Sequence, residues 1–197
     1  MSKITLSFTA LNNVHKFPCS WLNKIMGIEQ ESNEYMIAGK AAHERIAKII
    51  ENKEKLPNDL DFQKAEVHFR KSHNEKYLWH GYADGVNYRS KSLLEVKTVS
   101  KNLWTNAQMD KSMQPVYYSW LSGFPNVFLL TCKFDLSSPK VYYRKYTQDD
   151  WKRAEKWALE GLKIIETTDW KTYKCDGSCY LKERCFLYDP SINSQNQ

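Results

Sequence analysis

The run Leu93-Leu94-Glu95-Val96-Lys97-Thr98 sets a carboxylate and an ammonium two positions apart. On a strand, where side chains alternate, Glu95 and Lys97 share one face while Leu94, Val96 and Thr98 point to the other. Asp84, in the segment Gly81-Tyr82-Ala83-Asp84-Gly85, comes before them. If neighbouring strands pair, Asp84 lies beside Glu95, and two hard oxygen ligands suit Mg²⁺ or Mn²⁺. Such an ion lowers the pKa of a bound water and offsets charge on a phosphoryl transition state. Lys97 would then orient the attacking water or neutralise the developing charge. Plainer readings stand beside these: a surface ion pair on a strand, and a hairpin turn at Asp84-Gly85.

Other residues carry weaker signals. His43 lies on an amphipathic helix in Gly39-Lys40-Ala41-Ala42-His43; position 47 is Ala, so this is not the two-histidine zinc motif, and packing is the simpler role. Gln114 and Tyr118, four apart, share a helix face. Five cysteines, an odd number, argue against a disulfide framework. Metal or cluster ligation fits the cysteines better, with free thiols as the plain alternative, whereas Cys132, in an apolar strand, reads as core. Basic and aromatic residues interleave in Tyr142-Tyr143-Arg144-Lys145-Tyr146 and Trp151-Lys152-Arg153, a pattern able to track and stack single-stranded nucleic acid; the spacing of Trp151 and Ala154 equally suits core packing.

The elements that must position these groups follow from caps and periodicity. Thr9 or Ser7 can cap a helix through Val14, and Pro18 can open another through Met26 that Gly27 closes. Ala42, Ile46, Ile49 and Ile50 recur at helical spacing between Asn33 and Lys53. Strands are expected around residues 65–69, 77–88 and 93–99, their short connections favouring antiparallel pairing. Ser112 can cap a helix to Leu121, with Pro115 in its first turn and Gly123 as its stop. Two further strands, 127–134 and 141–146, precede a last helix that starts at Thr147 with Asp150 three residues on.

The chain has 197 residues, 42% hydrophobic and 26% charged, with a net charge of +6, which suits one domain and a phosphate-bearing partner. It contains neither a phosphate-binding P-loop nor a dinucleotide-binding glycine fingerprint. No stretch has the length of a membrane span and the first residues lack the features of a secretory signal, so a soluble, cytoplasmic protein is expected.

Taken in order, Gly39-x-x-x-His43, Gly81-Tyr82-Ala83-Asp84-Gly85, Glu95-Val96-Lys97-Thr98 and Gln114-x-x-x-Tyr118 resemble the RecB-like branch of the PD-(D/E)XK nuclease superfamily. The resemblance implies an α/β fold with an αβββαβ core, a mixed central sheet flanked by helices, and a C-terminal cysteine-rich segment. It implies metal-dependent hydrolysis of DNA phosphodiesters, with His43, Asp84 and Glu95 as ligands of Mg²⁺ or Mn²⁺ and Lys97 as the catalytic lysine. Gln114 and Tyr118 would shape the site and contact DNA, and Glu66 sits where some relatives place a further acidic residue. Cys175-x-x-x-Cys179-x₅-Cys185 with Cys19 is similar to the split cysteine cradle of the iron-sulfur nucleases of the AddB and CRISPR-associated adaptation type. That likeness implies a 4Fe-4S cluster, with zinc as the competing metal; three residues separate Cys175 from Cys179 where those relatives usually have two.

The expectation is thus a single nuclease domain over residues 1–188 with a disordered tail over 189–197. An exonuclease acting on linear or single-stranded DNA ends is expected first. The rival is an iron-sulfur subunit that binds DNA ends in a recombination, repair or CRISPR adaptation complex. No helicase motor is encoded, so unwinding would fall to a partner.

Overall fold

A computed structural model describes residues 3–28, 31–175, 185 and 187. Strand β1 (Ile4–Ser7) runs directly into helix α1 (Phe8–Lys16), which Ser7 caps by accepting from the Ala10 amide. Helix α2 (Ser20–Ile25) starts later than Pro18 because Phe17 and Pro18 first close a turn, their carbonyls accepting from the Ser20 and Trp21 amides. Asn33 caps α3 (Glu34–Glu51), whose buried stripe is Ala42, Ile46 and Ile50.

Three strands follow: β2 (Lys64–Ser72), β3 (Tyr77–Asn87) and β4 (Ser92–Val99). They pair antiparallel, as their short connections require. Asp84-Gly85 is no turn but the interior of β3. Asparagines supply the turn chemistry instead: Asn74 Oδ1 accepts from the Lys76 and Tyr77 amides, and Asn87 Oδ1 from that of Ser90. The chain then forms α4 (Asn106–Lys111) and α5 (Met113–Ser122). Ser112 caps α5, and Gly123 ends it at φ +74°, a conformation that suits glycine. Strands β5 (Asn126–Lys133) and β6 (Lys140–Lys145) precede α6 (Gln148–Thr167). Thr147 and Asp150 exchange bonds at the start of that helix, the Asp150 carboxylate accepting from the Thr147 amide and Thr147 Oγ1 from the Asp150 amide.

The six strands form one mixed sheet in the order β1-β3-β4-β5-β6, with β2 also paired to β3. The β4–β5 pair is parallel, as a crossover through α4 and α5 demands, and β5–β6 is antiparallel. Leu94, Val96 and Leu130 pack with Ile46 and Ile50, so α3 covers one face. Opposite, α5 lies close enough that a Cβ on Gly81 would sit 2.6 Å from the Tyr118 ring. The fold class is the α/β arrangement the sequence implies. Among the described residues, no helix is long and apolar enough to cross a membrane.

The chain divides into two compact units. One comprises residues up to Leu6 and Ser32–Glu155, with the sheet, α3, α4 and α5. The other comprises Ser7–Glu31 and the chain from Lys156 onward. Within the second, Trp157 stacks on Phe8 and His15, Trp157's carbonyl bonds His15 Nε2 at 2.9 Å, and Gly161 gives room to Leu11 and His15. Cys19, Cys175 and Cys185 form a buried cluster there, beside Phe17, Ile28, Tyr173 and Leu187. Residues 189–197 and Cys179 lie outside the described residues.

Candidate functional site

The β3–β4 ladder runs only from Asn87↔Ser92 to Gly85↔Leu94, and Asp84 and Glu95 are the residues at which the strands part. Asp84 closes the fork. Its Oδ2 accepts from the Val96 amide at 2.6 Å, replacing a ladder bond, while Oδ1 meets His43 Nδ1 at 3.0 Å. His43 reaches this point because one helical turn carries it from Gly39, whose missing side chain lies against Thr98 of β4. Burial opposes charging the imidazole, but the hydrogen bond and charge of Asp84 outweigh it and hold the His43 pKa above its usual value.

Glu95 and Lys97 share a face, as strand alternation requires, and their side chains meet at 2.6 Å. Glu95 is 3% exposed. Burial, opposed by Lys97 and reinforced by the charge of Asp84, pushes its carboxyl up to about 7. Lys97 Nζ also donates to Gln114 Oε1 at 2.7 Å, and Gln114 Nε2 to the Tyr118 hydroxyl at 3.5 Å. Gln114 and Tyr118 therefore share the α5 face turned to Lys97, and Gln114 fixes the direction of the ammonium. Burial raises the Tyr118 pKa far above that of a free phenol, keeping the hydroxyl protonated.

Two participants carry little sequence signal of their own. Trp104, from the connection between β4 and α4, presents its ring 5.5 Å from Lys97 Nζ, a cation–π contact. Its backbone is fixed by Thr131 Oγ1 and the Tyr142 hydroxyl. Glu66 lies between the pairs Ala65↔Gly85 and Val67↔Ala83, which sets it across from Asp84. Its φ of +49° is rare for a non-glycine residue in a strand. Burial and then the charge of Asp84 raise its carboxyl pKa.

These shifts have a consequence for stability. Glu95 is harder to ionise folded than unfolded, so its contribution is present below the unfolded value near 4.5 and is lost as pH rises toward about 7. The raised His43 acts in the same direction, its contribution falling away as pH climbs through its folded value. Without divalent ions, the melting temperature is expected to fall between pH 5 and 8, and Glu95→Gln to flatten much of that slope. Thermal denaturation across this range checks it.

Gly81 makes a second prediction. Gly81→Ala must displace the Tyr118 ring, an overpacking that costs about 1–3 kcal/mol. The expected result is a melting temperature lower by several degrees, restored in part by Tyr118→Leu in the same chain.

The cysteines make a separate centre. The sulfurs of Cys19, Cys175 and Cys185 lie within 4.8 Å of one another, all buried, with Cys19 Sγ 3.6 Å from Cys175 Sγ. Asn23 Nδ2 donates to Cys185 Sγ at 3.3 Å. Such a trio can bind a metal. It is the one group of three or more potential ligands so converged among the described residues; His43, Asp84 and Glu95 at the fork are not drawn together to that degree. Cys132 packs in the core beneath α3, as its strand suggests.

The basic and aromatic residues of β6 and α6 are engaged locally. Arg144 pairs with Asp110, Tyr143 donates to Asn126, and Lys152 and Arg153 pair with Asp149 and Asp150. Trp151 Nε1 donates to Ser119 Oγ at 2.8 Å.

No family profile matches the chain, and no curated protein matches its sequence. Solved structures do match in fold. The crystal structure of SSO0001 superposes with a TM-score of 0.62 at 17% identity, covering 95% of this chain and 88% of that one. A phage-related exonuclease from Haemophilus somnus 129PT gives 0.55 at 14%, covering 81% and 82%. The alkaline exonuclease of Laribacter hongkongensis, also solved with dAMP, gives 0.51 at 16%, covering 83% and 88%. At these identities the likeness is one of fold: a mixed α/β sheet flanked by helices, shared with exonuclease structures and consistent with the PD-(D/E)XK resemblance of the motifs.

Proposed function

We propose that the protein is a metal-dependent DNA exonuclease of the PD-(D/E)XK type, RecB-like, with Asp84, Glu95 and Lys97 as its catalytic set. The observation that carries this reading is the gathering of His43, Asp84, Glu95 and Lys97 where β3 and β4 part.

The residues fit a hard divalent cation. Glu95 meets the Lys97 ammonium at 2.6 Å with Asp84 where the strands part, and burial keeps Glu95 from ionising readily until a further positive charge joins it. His43, with Nδ1 committed to Asp84, has Nε2 to offer as a third ligand. When bound, Mg²⁺ or Mn²⁺ would supply an acidified water and charge compensation at phosphorus. Lys97, aimed by Gln114 and Trp104, would orient the water that attacks phosphorus or neutralise charge on a non-bridging phosphoryl oxygen. Tyr118, kept protonated by burial, would donate to substrate while its hydroxyl accepts from Gln114. Cys19, Cys175 and Cys185, with Cys179 as the fourth ligand, would hold a 4Fe-4S cluster fastening two distant stretches of chain, zinc being the alternative.

One panel tests the activity: end-labelled linear and closed circular DNA, single- and double-stranded, with anaerobic protein in Mg²⁺ or Mn²⁺. Progressive loss of linear DNA, with circles spared and chelator abolishing cutting, is the expected result. Equal cutting of circles would make the enzyme an endonuclease. Tight binding of ends with no cutting would make it a recognition subunit of a larger complex.

A further inference from the structure

Strands β2 and β3 carry a polar, aromatic stripe that leads away from the fork and that the candidate site does not use. The register pairs His68 with Tyr82 and Arg70 with His80, while Glu66 faces Asp84 at the end of the stripe. Opposite residues on antiparallel strands share a face, and steps of two residues keep that face, so Tyr82 and His80 follow one another about 7 Å apart beside His68 and Arg70, while at Asp84, next to Gly85 against Ile50 of α3, the alternation breaks. Because Gly81 faces Tyr118 of α5, Tyr82 faces away from α5.

The stripe is built, not merely exposed. His68 stacks on Tyr82 with centroids 4.3 Å apart and planes 7° from parallel. Arg70 Nε donates to His68 Nδ1 at 3.2 Å. A guanidinium only donates, so Nδ1 must accept and the His68 proton sits on Nε2, which donates to His80 Nδ1 at 3.3 Å. This chain fixes both imidazoles as neutral rings and steadies Arg70 through Nε, while its two terminal nitrogens are not engaged by that bond. Tyr82 nevertheless remains 51% exposed. Farther along, Lys3 Nζ donates to Ser72 Oγ at 2.7 Å, adding a second cation. The charge order is thus two acids at the fork, then aromatic rings, then cations.

Cross-strand stacking alone would stabilise the sheet, but it does not call for an open tyrosine ring beside an oriented guanidinium. A π-face next to a phosphate-binding cation, two residues along the strand from the Asp84 carboxylate, matches the alternation of base and phosphate along a single strand. We infer that the Tyr82–His68 stack and Arg70 form a seat for one nucleotide of single-stranded DNA leading to or from the fork. This rests on the nuclease reading and adds to it the course of the strand over the β2–β3 face.

The test measures binding of a fluorescein-labelled dT₁₂ by anisotropy, with Ca²⁺ in place of Mg²⁺, alongside hydrolysis of the same oligonucleotide in Mg²⁺. Stacking of one base is worth about 1–3 kcal/mol, so Tyr82→Ala should weaken binding roughly 5- to 150-fold while Tyr82→Phe stays near wild type. Arg70→Gln should lower the slope of log affinity against log salt by about 0.7. An abasic site walked along the oligonucleotide should weaken wild type at one position and leave Tyr82→Ala indifferent there, a signature that loss of folding cannot produce. If wild type binds and cuts while both variants bind with wild-type affinity and salt slope, the seat is overturned and the nuclease reading stands. If Tyr82→Ala is weakened equally on intact and abasic strands, its role is structural and the seat is again overturned. A wild-type protein that neither binds nor cuts the oligonucleotide overturns both.

Discussion

Alanine at Glu95 or Lys97 is expected to reduce DNA hydrolysis by on the order of 10³-fold or more, with the fold retained. Glu95 is the most buried carboxylate of the fork, and Lys97 touches it at 2.6 Å. Glu95→Ala would remove the proposed cation ligand and release Lys97. Lys97→Ala leaves Glu95 buried without its ammonium partner, favouring its protonated form, which would weaken its hold on a metal. Asp84 needs a different substitution, because its carboxylate also accepts the Val96 amide. Asp84→Asn retains an oxygen for that bond while removing the charge, so it should abolish cutting at little cost in melting temperature, whereas Asp84→Ala should lose both. Gln114→Ala should be milder than any of these, since it frees the ammonium without deleting it. The measurement is a single-turnover rate on end-labelled linear DNA in Mn²⁺, with circular dichroism and melting curves for every variant. Wild-type cutting by Asp84→Asn or by Glu95→Gln would overturn the assignment.

The second large effect belongs to the cysteines. Cys19→Ser, Cys175→Ser and Cys185→Ser should each release the bound metal and lower the melting temperature by on the order of 10 °C, because ligand loss forfeits much of a large folding contribution. Cys179→Ser should do the same if it completes the set. Cys132→Ser should leave the metal content unchanged, since Cys132 lies in the core beneath α3. Anaerobically purified protein should be brown and contain iron and acid-labile sulfide. Stoichiometric zinc without sulfide would replace the cluster by a zinc site, and iron lost from Cys132→Ser would mean a different ligand set.

Much of this arrangement can be read from the sequence because it depends on period and caps. The strand carrying Glu95 and Lys97, the helices capped by Ser7, Asn33 and Ser112, and the shared face of Gln114 and Tyr118 all follow from local rules. What local rules miss is set by tertiary context. Asp-Gly looks like a turn, yet two neighbouring asparagines take the turns and leave Asp84 inside β3. Strand β1 is too short for its alternation to stand out, and α4 is a six-residue helix without an apolar stripe, although its Thr105–Gln108 capping box is visible once sought. Trp104 could not be tied to Lys97 from spacing, because it comes from an irregular connection. Nor could the stacked His68 and Tyr82, whose meeting depends on the register between two strands.

The contact between Cys19 and Cys175 spans 156 positions of chain. During synthesis Cys19 emerges early, and Cys175 follows only after the whole sheet and α6 have been translated. A metal joining such distant points would remove loop entropy worth about 5 kcal/mol from the unfolded chain, more than a nearby pair could give. Occupancy of the cysteine centre would then act as a completion mark. A chain stalled before Cys175 can shape much of the fork yet gains none of this closure, which leaves partial products the more open to proteases.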